Sequence, residues 1–213
     1  MGAANSVQRS TKRAIDVMAS AVLLALLLPL LALIAGAILL TMGRPVCFRQ
    51  SRSGRNGARF TLLKLRTMAE DFDTEGRPLD DGARLTRLGR WIRASSLDEL
   101  PQLWNVLRGE MSLVGPRPLL PQYLDRYNQF QRRRLEVLPG ITGWAQIHGR
   151  NALAWEPRFQ FDVWYIDHWS LPLDFRILAR TLGSVFKREG INAGDRSTMP
   201  EFQGDDVSPL KAR

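Results

Sequence analysis

Cys47 is the only cysteine in the 213-residue chain, so no internal disulfide is possible and an oxidising compartment is not implied. Histidine is almost as scarce. His148 and His168 stand far apart without cysteine partners, which argues against a zinc site. Acidic residues are in deficit, 21 Asp+Glu against 30 Lys+Arg, giving a formal net charge of +9 and a pI near 10.7. That imbalance favours anionic partners (lipid headgroups, nucleotides, phosphates or nucleic acid) without choosing among them. No internal repeat is visible, and only one long apolar run occurs. The remaining residues suffice for one domain with its own core.

That run, Val17 to Met42, carries no charge and has Pro29 in its middle. Roughly 20 apolar residues cross a bilayer core, so the length suits a membrane helix. A cleaved signal peptide fits less well, because the apolar stretch exceeds a usual signal core. Arg9, Lys12 and Arg13 precede the run, and Arg44, Arg49, Arg52, Arg55 and Arg59 follow it. A single span should be basic on one side only. Pro29 removes a backbone donor and clashes with the preceding turn. Two arrangements satisfy these residues: a re-entrant hairpin broken at Pro29, with Ser20 helping to pair the bend, or an ordinary kinked span.

Beyond the anchor, residues 48–59 read as loop and Phe60–Leu65 as a strand. Residues 70–86 read as a charged, glycine-bearing surface loop. Leu85, Leu88 and Trp91 or Ile92 have helical spacing. A further helix ends at Arg108-Gly109, and Gly115-Pro116-Arg117-Pro118 reads as a rigid loop. A basic helix is predicted over 122–137 and a glycine-bounded loop over 143–151. Helices follow over 155–169 and 174–188. The last places Phe175, Leu178, Leu182, Val185 and Phe186 on one apolar side, suited either to a membrane interface or to packing on the body. The tail after Gly204 reads as disordered.

The segment richest in chemistry is Ser95-Ser96-Leu97-Asp98-Glu99-Leu100-Pro101-Gln102. Ser96 and Glu99 fit a capping box, with Asp98 at the positive end of the helix dipole. Pro101 disturbs that account, since past the first turn it costs a hydrogen bond. The helix is therefore distorted there or starts later. A carboxylate at such a place can bind Mg²⁺ or attack phosphorus, with its neighbour assisting. Lys64, Arg66, Arg93, Arg117 and Arg150 all fall in or beside loops, and a guanidinium grips phosphate oxygens in two places. Singly, each is an ordinary surface charge. Around two acids, they suit a phosphoryl site without proving one.

These residues carry a resemblance. Lys12-Arg13-Ala14-Ile15-Asp16, the apolar run with Pro29, Phe48-Arg49-Gln50-Ser51-Arg52-Ser53-Gly54 and Lys64-Leu65-Arg66-Thr67-Met68 belong to it. So do Arg93 to Gln102, Gly109 to Pro118, Pro139 to Gln146, Gly149-Arg150-Asn151 and the pair Asp162 and Tyr165. Together they resemble the small monotopic form of the bacterial sugar transferase family, phosphoglycosyl transferases acting on polyprenyl phosphate. The match runs from about Lys12 to about Gly204.

The resemblance implies a mainly α fold with minor β. It comprises a re-entrant helix-break-helix hairpin over 1–43, amphipathic interfacial helices and a small cytoplasmic catalytic domain over 44–204. The location implied is the cytoplasmic face of the bacterial inner membrane. Sugar-1-phosphate would pass from a UDP-sugar to undecaprenyl phosphate with release of UMP, initiating glycoconjugate assembly. Asp98 would attack the sugar-linked phosphate to give a covalent aspartyl-phosphosugar, and Glu99 would assist the lipid phosphate. Mg²⁺ would bridge Asp98 and the diphosphate. Lys64, Arg66, Arg93, Gly115, Pro116, Arg117, Gln146 and Arg150 would bind substrate, while Ser20 and Pro29 would shape the hairpin. One departure is His148, where Asn often precedes Gly-Arg; it receives no role. No residues before the anchor suggest further membrane helices. The tail 197–204 resembles that of members acting on N-acetylated amino sugars, and the sequence leaves a homodimer open.

A second class of function is a membrane-anchored basic protein that binds nucleic acid or anionic lipid without catalysis. It accounts for the net charge and for Gln131-Arg132-Arg133-Arg134, but not for acids and prolines punctuating the loops. Nor do the tryptophans interleave with basic residues as nucleic-acid stacking requires; Trp155, Trp164 and Trp169 cluster on helical segments. No nucleic-acid partner is expected. A phosphatase or phosphodiesterase would share the site chemistry but need no lipid acceptor.

Overall fold

The computed structural model describes residues 2–69, 75, 77, 79–149, 153–187 and 201–204. Its first element is α1 (Gly2–Met42), rich in Leu and Ala. The break predicted at Pro29 is absent: the residue lies inside a continuous helix. One proline removes one donor from the ladder, and neighbouring residues of high helix propensity carry the helix on. Ser20 does not serve the proline either. It is fully buried against the body, and its Oγ has no hydrogen-bond partner.

Both halves of α1 are tied to the same body. Towards the N-terminus, Lys12 Nζ donates to Asp174 Oδ2 at 2.6 Å and to the Val114 carbonyl at 3.1 Å. Arg13 donates to the carbonyls of Val106 and Leu107, at 2.7 and 3.0 Å. The buried Asp16 accepts from the Leu113 amide at 3.2 Å. Towards the C-terminus, Ile34 and Ile38 pack with Leu65 and Ile92, and Arg66 donates to the carbonyls of Met42, Gly43 and Arg44. Between the two anchorages Val22, Leu23, Leu26, Leu28 and Leu33 are exposed. Among the described residues α1 is the one helix long and apolar enough to cross a membrane.

β1 (Cys47–Ser53) and β2 (Arg59–Leu65) form an antiparallel hairpin, with Cys47 opposite Leu65 and Ser53 opposite Arg59. Residues 48–53 were predicted as loop. β1 buries little apolar surface, so it lacks the period-2 signal that β2 shows through Phe60 and Leu62. After α2 (Asp81–Arg84) comes α3 (Arg87–Ala94), capped by Thr86, whose side chain accepts from the Gly89 amide at 2.9 Å. α4 (Gln102–Leu107) ends at Arg108 and Gly109, the latter at φ +81°.

β3 (Ser112–Val114) then pairs in parallel with a later strand, β4 (Gly140–Thr142). Between them the predicted helix over 122–137 is replaced by a 3₁₀ stretch (Pro121–Arg126), α5 (Gln129–Arg132) and a 3₁₀ turn (Arg133–Leu135). Asn128 and Gln131 form a capping box that restarts the chain, and Arg134 turns inward to Asp162. Within the expected loop 143–151, Trp144–Ile147 forms a helical turn, α6. α7 (Trp155–Asp167) and α8 (Leu171–Lys187) complete the fold. α8 buries Leu173 and Ile177 in the core, which bears out the packing reading, and exposes Phe175 and Leu182.

The main core joins Phe60 and Leu62 of β2, Leu103 and Val106 of α4, and Leu113 and Val114 of β3 to Tyr165, Leu173 and Ile177. Backbones meet beside it. A Cβ on Gly140 would lie 2.1 Å from the Gly115 nitrogen, and one on Gly143 would lie 2.1 Å from the Gly115 oxygen. Only glycine permits this approach, which fixes the loop starting at Gly115. Replacing Gly140 with alanine should therefore cost at least about 2 kcal/mol through overpacking. Gly183→Ala on exposed α8, with nothing within 4 Å, should stabilise by up to about 1 kcal/mol through helix propensity. Thermal unfolding in one detergent compares the two; equal shifts would contradict the close-approach account.

Candidate active site

Asp98 and Glu99 sit on a single 3₁₀ turn, Leu97–Glu99, entered through Ser96 in the left-handed region at φ +56°. The predicted capping box does not form, and the Ser96 side chain makes no cap hydrogen bond. Pro101 is the reason in sequence terms. The chain starts α4 only after it, where a missing amide costs least. The two acids are thus held on a turn between α3 and α4, facing β2.

Lys64 reaches both carboxylates from β2, unequally: Nζ lies 2.8 Å from Glu99 Oε1 and 3.5 Å from Asp98 Oδ2. Arg117, from the loop that Gly115 begins, brings Nη2 to 2.7 Å from the same Glu99 oxygen. Glu99 is doubly paired, whereas Asp98 has one long contact. Their titrations diverge accordingly. Burial lifts the Asp98 carboxyl above its usual range; Lys64 opposes this, and the Glu99 charge adds to it. Burial would lift Glu99 as well, but Arg117 and Lys64 outweigh it and hold Glu99 well below the usual carboxylate range.

The other predicted residues divide by location. Arg93 donates from Nε to Thr67 Oγ1 at 2.9 Å, and its charge acts on Asp98. Gly115 and Pro116 shape the loop that delivers Arg117. Gln146 stands at the foot of that loop, where a Cβ on Gly143 would be 2.9 Å from its Oε1, and both its amide atoms are buried without partners. Arg66 is not brought to the acids: its guanidinium faces the end of α1. Arg150 lies outside the described residues.

Sequence reasoning gave no role to a buried support behind Arg117. Arg134 donates to Asp162 Oδ2 at 2.8 Å, to the Arg117 carbonyl at 2.7 Å and to the Tyr127 hydroxyl at 3.2 Å. Arg158 lies over the Trp155 ring, 5.3 Å from its centroid. Burial and the nearby Arg117 charge lower the Arg158 pKa to about 10. Arg52 of β1 reaches the Pro118 carbonyl at 3.3 Å. A charged residue within an otherwise apolar stretch, as Asp162 is between Phe161 and Val163, was the available signal. Among the described residues of this region, Lys64, Arg52, Arg93, Arg117, Arg134 and Arg158 outnumber Asp98, Glu99 and Asp162 two to one. A partly buried excess of that sign suits a polyanionic ligand.

A sequence profile described as "Bacterial sugar transferase" matches residues 7–188. The chain belongs to that family. It is 50% identical over 198 residues to a protein named "Uncharacterized sugar transferase EpsL" from Bacillus subtilis (strain 168). That alignment covers 92% of this chain and 98% of the relative. A "UDP-glucose:undecaprenyl-phosphate glucose-1-phosphate transferase" from Caulobacter vibrioides is 45% identical over 82% of this chain and 69% of its own. A "UDP-galactose-lipid carrier transferase" from Erwinia amylovora is 40% identical over 85% of this chain, which spans only 42% of that longer protein. In this member of the bacterial sugar transferase family, the acids thus lie inside the family-wide region.

The unequal pairing predicts opposite stabilities. The folded pKa of Glu99 is depressed, so its ionised form stabilises the fold above the unfolded value and that contribution fades as pH falls. Glu99→Gln should cost about 1–3 kcal/mol at pH 7, because Lys64 and Arg117 lose their partner. The Asp98 pKa is raised, so its ionisation destabilises the fold as pH rises. Asp98→Asn should leave the melting temperature unchanged or raise it at pH 7. Melting curves of both variants at pH 7 and pH 4.5 give the comparison; a fall in Asp98→Asn equal to that in Glu99→Gln would refute the assignment.

Proposed function

We propose that the protein transfers sugar-1-phosphate from a UDP-sugar to a polyprenyl phosphate, on the cytoplasmic face of a bacterial inner membrane. The observation that carries this reading is the buried, weakly compensated Asp98 beside a neutralised Glu99 within a cationic surround. A desolvated carboxylate with a raised pKa is a stronger nucleophile than one in water. Asp98 would attack the sugar-bearing phosphorus; the P–O bond to the bridging oxygen breaks and UMP leaves. An oxygen of the lipid phosphate would then attack the same phosphorus and release Asp98.

Glu99 stays ionised because Lys64 and Arg117 hold it so, which makes it a poor proton acceptor while both remain paired. Its supported role is to keep those two cations beside the transferred phosphoryl group, where they offset developing charge. Among the described residues no cluster of three His, Cys, Asp or Glu could hold a metal. Asp98 would hold Mg²⁺, an ion that takes one or two protein carboxylates beside substrate phosphates. When bound, the ion would neutralise charge on the diphosphate.

Membrane seating follows from α1. A helix that crossed the bilayer would carry its two ends to opposite sides. Here Lys12–Asp16 and Met42–Arg44 are both tied to one body, with exposed leucines between them. That supports a seating in which both ends of α1 lie on one side of the membrane, without the helix break expected at Pro29, and with the basic flanks meeting anionic headgroups.

Purified protein in nanodiscs, supplied with Mg²⁺ and undecaprenyl phosphate, should release UMP from one of UDP-glucose, UDP-galactose or the UDP-N-acetylhexosamines. Asp98→Asn should lower the rate at least about a thousandfold. The acid limb of the pH–rate profile should fall above the ordinary aspartate value of about 4, since Asp98 must be ionised to attack. Release of free sugar phosphate without lipid would replace the transferase by a hydrolase. Silence across the panel from a folded protein would favour anion binding alone.

A further inference from the structure

Arg52 has no part in the contacts that hold Glu99, yet it is a partly buried cation near them with no carboxylate partner among the described residues. It projects from β1 with Nη2 2.5 Å from Gln50 Oε1 and Nη1 3.3 Å from the Pro118 carbonyl. The second contact sets it beside the loop that carries Arg117, a loop also tied to β1 by the Ser53 amide donating to the Leu119 carbonyl at 2.9 Å. Its Nε is buried and has no partner. Among the described residues no carboxylate pairs with it, although Lys64, Arg117 and Arg134 each have one.

Burial and the like charge of Arg117 together lower the Arg52 pKa to about 10. Tyr123 and Tyr127 also face it, and Glu99 is the carboxylate that acts on it from a distance. Two guanidiniums on one wall, only one of them neutralised, are a costly arrangement for an empty protein. They are the arrangement wanted by a group with several anionic oxygens, since each planar fork can hold two of them.

We propose that Arg52 is an anion-binding residue of the donor site, forming with Arg117 a two-arginine clamp on the phosphate oxygens of a nucleoside diphosphate. The inference rests on the donor reading above and adds to it a residue from the β-hairpin. It accounts for the tight seat of β1 against the Pro118–Leu119 backbone: the hairpin delivers a charge as well as closing the core.

The test is ligand-induced stabilisation of the full chain in nanodiscs, with UDP and inorganic phosphate as probes and no turnover. Arg52→Gln removes the charge and keeps a shorter polar side chain on β1. Without ligand it should melt at the wild-type temperature or above it, because repulsion with Arg117 is relieved. Its affinity for UDP should fall about tenfold or more, the effect of one lost charge-assisted contact. Arg52→Lys should recover part of that affinity. A lowered melting temperature with UDP affinity intact would overturn the proposal and make Arg52 a structural residue. If Arg52→Gln melts low and binds poorly, Arg52→Lys decides: recovered binding supports the clamp, and recovered stability without binding overturns it. Wild-type protein that responds to neither probe would overturn the donor reading itself, a result separate from failure at Arg52 alone.

Discussion

Glu99 Oε1 accepts from Lys64 at 2.8 Å and from Arg117 at 2.7 Å, and through that one oxygen three separate parts of the chain are joined. Lys64 comes from the hairpin, Glu99 from the turn between α3 and α4, and Arg117 from the loop after β3. None of these segments is long enough to hold its place by local propensity alone. The ion cluster also decides the behaviour of its neighbour. Because Glu99 takes both close cations, Asp98 keeps a buried charge with one long contact. If Asp98 is the nucleophile, as proposed, it is made stronger by being denied partners, not by being given a base.

Support for this cluster lies behind it rather than around it. Arg134 uses Asp162 for its charge and the Arg117 carbonyl for its direction, so a buried pair anchors the backbone from which Arg117 reaches forward. The close approach of Gly115, Gly140 and Gly143 fixes the same loop at its other end. A buried ion pair adds little to stability compared with apolar packing of the same volume. Here its use is positional: it holds a peptide at a set height so that a flexible side chain need search few rotamers.

Much of this was legible in the chain, unevenly. The apolar run, the strand through Phe60–Leu65, the helix end at Arg108-Gly109 and the helices over 155–169 and 174–188 have local causes, and those elements formed. Elements ruled by distant partners were missed. β1 is polar and gains its strand from pairing with β2. The basic stretch 122–137 divides because Arg134 is drawn inside by Asp162, 28 residues away in sequence. At the site, proximity of Lys64 and Arg117 to the acids followed the pattern of charges in glycine- and proline-rich loops. Arg66 did not, because it lies one residue beyond β2, where strand alternation no longer sets its direction, and its guanidinium is taken by the carbonyls of Met42, Gly43 and Arg44. Whether an arginine faces a ligand or a helix end is decided by what lies across the strand, which periodicity does not describe.

Those two residues, with Leu65 between them, relate the chemistry to the membrane. Neighbouring side chains on a strand point to opposite faces. Lys64 faces the acids, Leu65 packs on Ile34 and Ile38 of α1, and Arg66 holds the carbonyls at the end of α1. The distance between the two carboxylates and the apolar helix is therefore set within three consecutive residues and has little room to vary. An enzyme that joins a water-soluble phosphate to one borne on a lipid needs that distance fixed, because the lipid phosphate is confined to the depth of the headgroups. A nucleophile on a mobile tether would meet it seldom. On the proposed reading, one held by the same segment that grips α1 would meet it at a constant depth, and the hairpin, although small, would be the element through which that depth is kept.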